Sequence, residues 1–236
     1  MVIFGRNPVL ESIRSPFKPV RVILYKNLRD MESIKGLLKK HGIPYELSDK
    51  HRLEQISGGE KHQGMVAYLE GEPVYPVKKN IEDFLKGDGR VFLILDRIQD
   101  PRNLGSIIRT AALTGIKNIL LTRKSTTPIT ATAVKASAGA IFHVKLSLTD
   151  SVKFIAESLK EEGIDIFALE RGGKPIQEME FPEKLILIVG SEHYGIRKSL
   201  MEISDYIVSL SQHPVVNSYN VSVASGIAFY IINFVK

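Results

Sequence analysis

The sequence predicts an α/β protein in two parts: a mainly parallel sheet with helices on both faces, preceded by a small α/β domain. Two observations carry this reading. From Arg90 onward, short, continuously apolar runs such as VFLIL (91–95) and LILIV (185–189) alternate with helical stretches. That is the pattern of parallel strands covered on both sides. Before Arg90 the texture changes at GEPVYPVKKN (71–80), where Pro73 and Pro76 interrupt any regular element. The expected division is a first domain over 1–71, a linker over 72–89 and a second domain over 90–236.

In the first domain, Val20–Tyr25 (VRVILY) is a β-rich apolar run, and Leu28–His41 has helical spacing at Met31, Ile34, Leu37 and Leu38. Gly42 stands where a helix ends, and Ile43–Leu47 and Gly64–Leu69 supply two further strands. In the second domain, strand Val91–Leu95 leads to a helix over Leu104–Thr114, strand Ile119–Thr122 and a helical stretch over Thr132–Ala138. Strand Ile141–Leu146, helix Ser151–Glu162 and strands Ile164–Leu169 and Leu185–Val189 follow. A short helix near Ile196–Met201, strand Tyr206–Leu210 and a long helix from about Asn220 complete the chain. That last helix has almost no polar face between Val221 and Val235. A helix apolar all round must be buried on all sides. A place in the core would satisfy it, but at the end of a domain this size the natural covering surface is a second subunit, so a homodimer through the C-terminal domain is expected.

Composition excludes several chemistries. Of 236 residues none is cysteine, which removes disulfides, thiol nucleophiles and thiolate metal sites. The six histidines (41, 51, 62, 143, 193, 213) form no close pair, so no protein-built metal site is expected. MVIFGRNPVLESIR carries no secretory pattern, and the apolar tail from Val221 to Val235 is shorter than the ~20 residues a membrane helix needs. A soluble, cytoplasmic protein is expected. Net charge is +6, and residues 1–71 hold twelve basic against eight acidic side chains. This imbalance points to an anionic partner such as nucleic acid, although an ordinary solvated surface also accounts for it.

Ligands of open α/β sheets collect beyond the carboxyl ends of the strands, and three such segments are unusual. In LDRIQDPRNLGSIIRTAALTG (95–115), Asn103 is placed to cap the helix, Leu104, Ile107, Ile108 and Ala111 form its buried stripe, and Arg109 points away from that stripe. In LILIVGSEHYGI (185–196), Gly190 would let a ligand approach the backbone, Glu192 is delivered to the strand tip, and Gly195 relaxes the turn. In LSQHPVVNSYNVSVASGIAFY (210–230), Ser218 and Asn220 both precede a helix that needs only one cap. There is no G-x-G-x-x-G, no P-loop and no G-x-S-x-G elbow.

In this order, the three segments resemble the three motifs of the SpoU (TrmH-like) family of RNA ribose 2'-O-methyltransferases, within the SPOUT superfamily. Asn103 and Arg109 match the first motif, Gly190, Glu192 and Gly195 the second, and Ser218, Asn220, Val221 and Ser222 the third. KASAGA (135–140) is similar to a stretch found between the first two motifs. FGRNPVLESI and KHQGMVAYL, at the two ends of the first domain, are similar to the ribosomal-protein-like RNA-binding domain of a branch that methylates a guanosine of bacterial 23S rRNA. The resemblance implies a C-terminal trefoil knot, S-adenosylmethionine as cofactor, and a homodimer with a shared active site. It implies cofactor binding by backbone around Gly190, Leu210 and Tyr219, and catalysis by Arg109, Asn103, Glu192, Ser218 and Asn220. It favours ribosomal over transfer RNA as partner, with a non-catalytic RNA-binding protein of the same fold as the alternative. A guanidinium is always protonated, so Arg109 suits stabilising an alkoxide and gripping a phosphate, and Glu192 either accepts the proton or orients Asn103 or Arg109. The chain departs from the family at Leu210–Ser211–Gln212–His213, where I-P-M-x-G is usual, and at Tyr219, where leucine is usual.

Overall fold

The computed structural model describes residues 1–76, 89–211, 213 and 218–235. Of the expected linker, residues 77–88 lie outside the described residues, and Tyr75–Pro76 forms a short strand.

Two sheets are present. The first has the order β1-β4-β2-β3, from β1 (Val2–Phe4), β2 (Pro19–Tyr25), β3 (Tyr45–Ser48) and β4 (Met65–Leu69). β4 runs antiparallel to β1 and β2, and β3 parallel to β2. Successive residues of β2 feed opposite faces. Val22 and Leu24 meet Val9 and Ile13 of α1 (Arg6–Arg14) and Ile34 and Leu38 of α2 (Met31–Lys40), whereas Ile23 packs with Leu53 of α3 (Lys50–Ile56). Asp49 caps α3 by accepting from the Arg52 N–H at 2.9 Å.

The second sheet has seven strands in the order β11-β9-β10-β6-β7-β8-β5, every neighbouring pair parallel. Its strands are β5 (Tyr75–Pro76), β6 (Val91–Leu95), β7 (Asn118–Thr122), β8 (Lys145–Thr149), β9 (Asp165–Pro175), β10 (Leu185–Val189) and β11 (Tyr206–Ser209). The alternation inside VFLIL explains why the strand reads as continuously apolar. Phe92 and Ile94 face Ile155 and Leu159 of α6 (Val152–Glu161) and Leu200 of α7 (Lys198–Met201). Leu93 and Leu95 face the layer of α4 (Pro101–Leu113), α5 (Ala131–Ala136) and α8 (Val221–Phe234).

Several elements differ from expectation. Residues 141–146 are not one strand: Ala140–His143 form a 3-10 turn, and β8 begins at Lys145. Gly139, at φ +87°, turns the chain so that Ile141 and Phe142 fill the core shared with α1 instead of entering the sheet. α1 and α3 were not read from the sequence. The last helix is not buried on all sides within one chain. Val221, Ser225, Ala228, Phe229 and Ile232 face inward, whereas Val223, Ile227, Tyr230 and Phe234 are exposed, Tyr230 by 58%.

KASAGA joins the two sheets. Gly105 of α4 lets α5 cross closely, since a Cβ there would stand 2.6 Å from the Ala136 Cβ. A Cβ at Gly139 would meet the Asn7 carbonyl of α1 at 3.1 Å. Lys135 donates to the Lys61 carbonyl at 2.6 Å and lies over the Phe4 ring.

Two predictions follow from this packing. Gly105→Ala should cost about 1–3 kcal/mol through overpacking, seen as a lower urea midpoint at unchanged slope. Gly36→Ala, in α2 with open space around it, should be neutral or stabilise by up to ~1 kcal/mol; equal effects at the two positions would refute the close crossing. The second concerns His62, buried beside the joint, with Nδ1 accepting from the Gly64 N–H at 3.0 Å. Burial pushes its imidazole below the usual value, with Lys50 and Lys135 acting in the same direction and Glu54 opposing. The unfolded chain then takes up this proton before the folded one does, so stability falls as pH drops below the ordinary histidine pKa, about 6.5. Denaturation at pH values on either side should show this loss, and His62→Asn, which keeps an acceptor, should lose less.

Candidate active site

The candidate site lies beyond the carboxyl ends of β10 and β11, against residues 169–172 within β9, where the first turns of α4 and α8 also arrive. After β10 the chain folds back on itself: the Ser191 N–H donates to the Gly195 carbonyl at 3.1 Å and the Gly195 N–H to the Ser191 carbonyl at 3.0 Å. A Cβ on Gly190 would collide with the backbone of Gly195 and Ile196. The turn itself therefore requires a glycine here, and Gly190 also lines the cavity described below. Gly195 has φ +58°, and a Cβ there would strike the Glu170 carboxylate.

Two carboxylates hold this turn. Fully buried Asp96, directly after β6, accepts from the Arg197 N–H at 2.9 Å and from Arg197 Nε at 2.7 Å, with a further short contact from Arg197 Nη2. Glu170, on β9, accepts from the Ile196 N–H at 3.0 Å. Arg97 bridges to the Gly195 carbonyl at 3.1 Å. None of Asp96, Arg97, Glu170 or Arg197 was singled out from the sequence. The available signal was an acid immediately following a fully apolar strand, a position where an unpaired charge would be costly.

β9 is also irregular. β11 pairs Ile207 with Ala168 and then Val208 with Lys174, so residues 169–173 leave the ladder with β11. A Cβ at Gly173 would stand 2.6 Å from the Ile207 carbonyl carbon. The excursion forms one wall of a cavity of about 510 Å³, whose lining includes Gly190, Glu192, Leu210, Ser218 and Tyr219.

At its edge, three of the expected catalytic side chains form one chain of hydrogen bonds. Asn103 Nδ2 donates to Glu192 Oε2 at 3.4 Å, and Asn220 Nδ2 donates to Asn103 Oδ1 at 3.2 Å. Asn220 Oδ1 accepts from the Ser222 N–H at 2.9 Å and from Ser222 Oγ at 2.6 Å, capping α8. Asn103 is not the cap of α4. Asp100 takes that place, accepting from the Arg102 N–H at 2.7 Å, which frees the Asn103 amide to reach Glu192. Ser218 lines the cavity without joining this chain. Arg109 is apart: six residues further along α4, about 9 Å along the helix axis, it is exposed and does not line the cavity. Among the described residues no group of acids and histidines is arranged to hold a metal, and no helix is long and apolar enough to cross a membrane.

The Asp96 clamp is testable. Asp96→Asn removes the charge that Arg197 faces and should cost about 2 kcal/mol in stability, together with increased amide exchange over 190–197. Unchanged exchange there would show that the turn holds itself.

Comparison with known proteins places this geometry. The SpoU rRNA Methylase family matches residues 90–230, and a family described as RNA 2'-O ribose methyltransferase substrate binding matches residues 2–74. YacO of Bacillus subtilis, named for the TrmH family of tRNA/rRNA methyltransferases, is 32% identical over 97% of this chain and 93% of its own length. The 23S rRNA (guanosine-2'-O-)-methyltransferase RlmB of Acinetobacter baylyi is 30% identical over 90% of this chain and 89% of its own. The fold is shared with an AdoMet-bound rRNA methyltransferase from Sinorhizobium meliloti (TM-score 0.78, 21% identity, 97% of this chain and 85% of that one). It is shared also with the AdoMet complex of AviRb from Streptomyces viridochromogenes (TM-score 0.81, 17% identity, 98% and 88%). With a family match over more than half of its length and relatives that cover nearly all of it, the chain belongs to the SpoU (TrmH-like) family of RNA 2'-O-ribose methyltransferases.

Proposed function

We propose that this enzyme uses S-adenosylmethionine to methylate the ribose 2'-hydroxyl of a guanosine in 23S rRNA, as a cytoplasmic homodimer. The observation that carries the site is the Asn103–Glu192–Asn220 chain of hydrogen bonds at the edge of the cavity. The residues present fit the cofactor. A cavity of about 510 Å³ lies within the range of roughly 300–1,000 Å³ that small-molecule sites span. Leu210, Val221 and the Tyr219 ring line it with apolar surface beside the polar backbone at Gly190. When bound, S-adenosylmethionine supplies an electrophilic methyl group on a sulfonium.

The chain's own groups then have distinct work. A ribose hydroxyl becomes a useful nucleophile only as its proton leaves. Glu192 is the acceptor for that proton or the group that orients its neighbours, and Asn103 and Asn220 fix the carboxylate in place. A guanidinium stabilises the developing alkoxide and grips the adjacent phosphate through two parallel hydrogen bonds. Arg109 of the same chain stands outside the cavity, which supports delivery of this group by a second subunit. The exposed strip of Val223, Ile227, Tyr230 and Phe234 along α8, beside a groove lined also by Ser106 and Thr110 of α4, supports the corresponding interface.

The rRNA guanosine reading is supported by the likeness to RlmB and by the basic first domain. Transfer RNA is the competing substrate, since YacO and similar relatives carry both in their names. The proposal includes the family's C-terminal trefoil knot, on the likeness of fold to the SpoU methyltransferase AviRb.

Incubation with labelled S-adenosylmethionine and separated RNAs, followed by mapping of ribose methylation, tests the reading; label in transfer RNA alone would overturn the rRNA assignment. Arg109→Ala should lower turnover by about 10²-fold or more, and Arg109→Lys should remain poor because an ammonium lacks the planar fork. Mixing Arg109→Ala subunits with Glu192→Gln subunits should restore activity if the site is shared. Failure of the mixed dimer to recover would confine the site to one chain.

A further inference from the structure

We propose that Tyr194, backed by Arg97, is a stacking platform for a base of the RNA substrate beside the acceptor ribose. The inference rests on the RNA-methyltransfer reading above and names a residue that neither the motifs nor the hydrogen-bonded site includes. Tyr194 stands in the turn after β10 with 67% of its surface exposed. Its backbone is nevertheless held from several sides. The Tyr194 N–H donates to Ser191 Oγ at 2.9 Å, its carbonyl accepts from Arg97 Nη2 at 3.3 Å, and the next residue is tied to Ser191 by paired backbone bonds.

Arg97 is itself constrained. It has φ +60°, a left-handed conformation that an arginine keeps only when its surroundings impose it. Its guanidinium lies 5.8 Å from the Tyr194 ring centroid. Among the described residues no other ring packs against Tyr194. An aromatic ring carried on a held backbone, with a cation near it and most of its surface free, is presented to a flat π-system.

Its position selects the occupant. The cavity spreads over the ends of β10 and β11 and the middle of β9, whereas Arg97 follows β6 and Asn103 lies on the helix after it. Tyr194 lines the cavity yet leans on Arg97, so it marks the border between the donor side and the β6 side. Glu192, two residues earlier, receives the ribose in the proposed reaction. A nucleotide whose ribose is held there brings a base, its own or its neighbour's, to the exposed ring.

The chain contains no tryptophan, so Tyr194→Trp installs a single indole at the platform. The probe is a single-stranded oligoribonucleotide, its binding followed independently by anisotropy, with an abasic strand of the same length and S-adenosylmethionine alone as comparators. The base-bearing strand should quench the indole; the abasic strand and the cofactor alone should not. Tyr194→Ala should weaken RNA binding about tenfold, the scale of one base stack, with an unchanged salt slope because no phosphate contact is lost. Tyr194→Phe should restore most of that affinity, whatever the alanine variant does to the turn. Bound RNA that leaves the emission unchanged, or quenching matched by the abasic strand or by the cofactor alone, would overturn the platform while leaving methyl transfer intact. Absence of RNA binding by the unaltered protein would instead overturn the parent reading, and this inference with it.

Discussion

The site depends on how the turn after β10 is held. β10 lies between β6 and β9, all three parallel and in register, so the chain leaving β10 is flanked by the chain leaving each neighbour. The two neighbours contribute one carboxylate each: Asp96 grips Arg197 and its N–H, and Glu170 grips the N–H of Ile196. A backbone turn bearing a functional carboxylate would otherwise be a loop with loose ends. Fixed from both sides, it presents Glu192 to Asn103 and Asn220, which arrive on two different helices. The low-dielectric setting of Asp96 makes its hydrogen bonds strong, and equally makes an unpaired carboxylate there costly. Register in the sheet thus becomes geometry in the site.

The second structural dependency is the joint between sheets. Gly139 lies so close to α1 that a single added carbon would meet the Asn7 carbonyl and the Glu11 side chain, and Gly105 holds α4 as closely to α5, the helix that packs on β1. Lys135 spans the junction to Lys61, and His143 pairs with Glu11 of α1 at 2.8 Å. One apolar cluster continues from Val9 and Ile13 through Ile141 and Phe142 into the larger sheet. The first domain is therefore packed against the layer containing α4, the helix that carries Asn103, and not strung beside it.

Much of this was legible in the sequence, for identifiable reasons. Apolar runs such as LILIV have few alternatives to a strand covered on both faces, and β10 matches its expected span of Leu185–Val189. The segments bearing Asn103, Glu192 and Asn220 stood out in reading what comes after each strand, and their joint role was what the family resemblance implied. What was not legible depended on tertiary context. AIFHV has the composition of a strand, and only the left-handed turn at Gly139 and the pocket beneath α1 draw it out of the sheet. Asn103 and Asp100 are both good caps by type, so choosing between them needed the position of Glu192. That Gly195 and Ile196 return against Gly190, and so require a glycine there, was not legible from the sequence. Asp96 offered only its place after an apolar strand and Glu170 offered nothing, because their partners lie 101 and 26 positions away.

The long terminal helix has one further consequence. α8 begins at the residue after Asn220, whose side chain caps it, and carries the exposed strip of Val223, Ile227, Tyr230 and Phe234 along its length. Seat and strip belong to one rigid rod. Covering the strip would suppress fraying at the rod's first turn, and would thereby steady the amide that positions Asn103. Self-association and readiness for chemistry would then be linked by mass action, so that dilution lowers specific activity before the protein loses its fold.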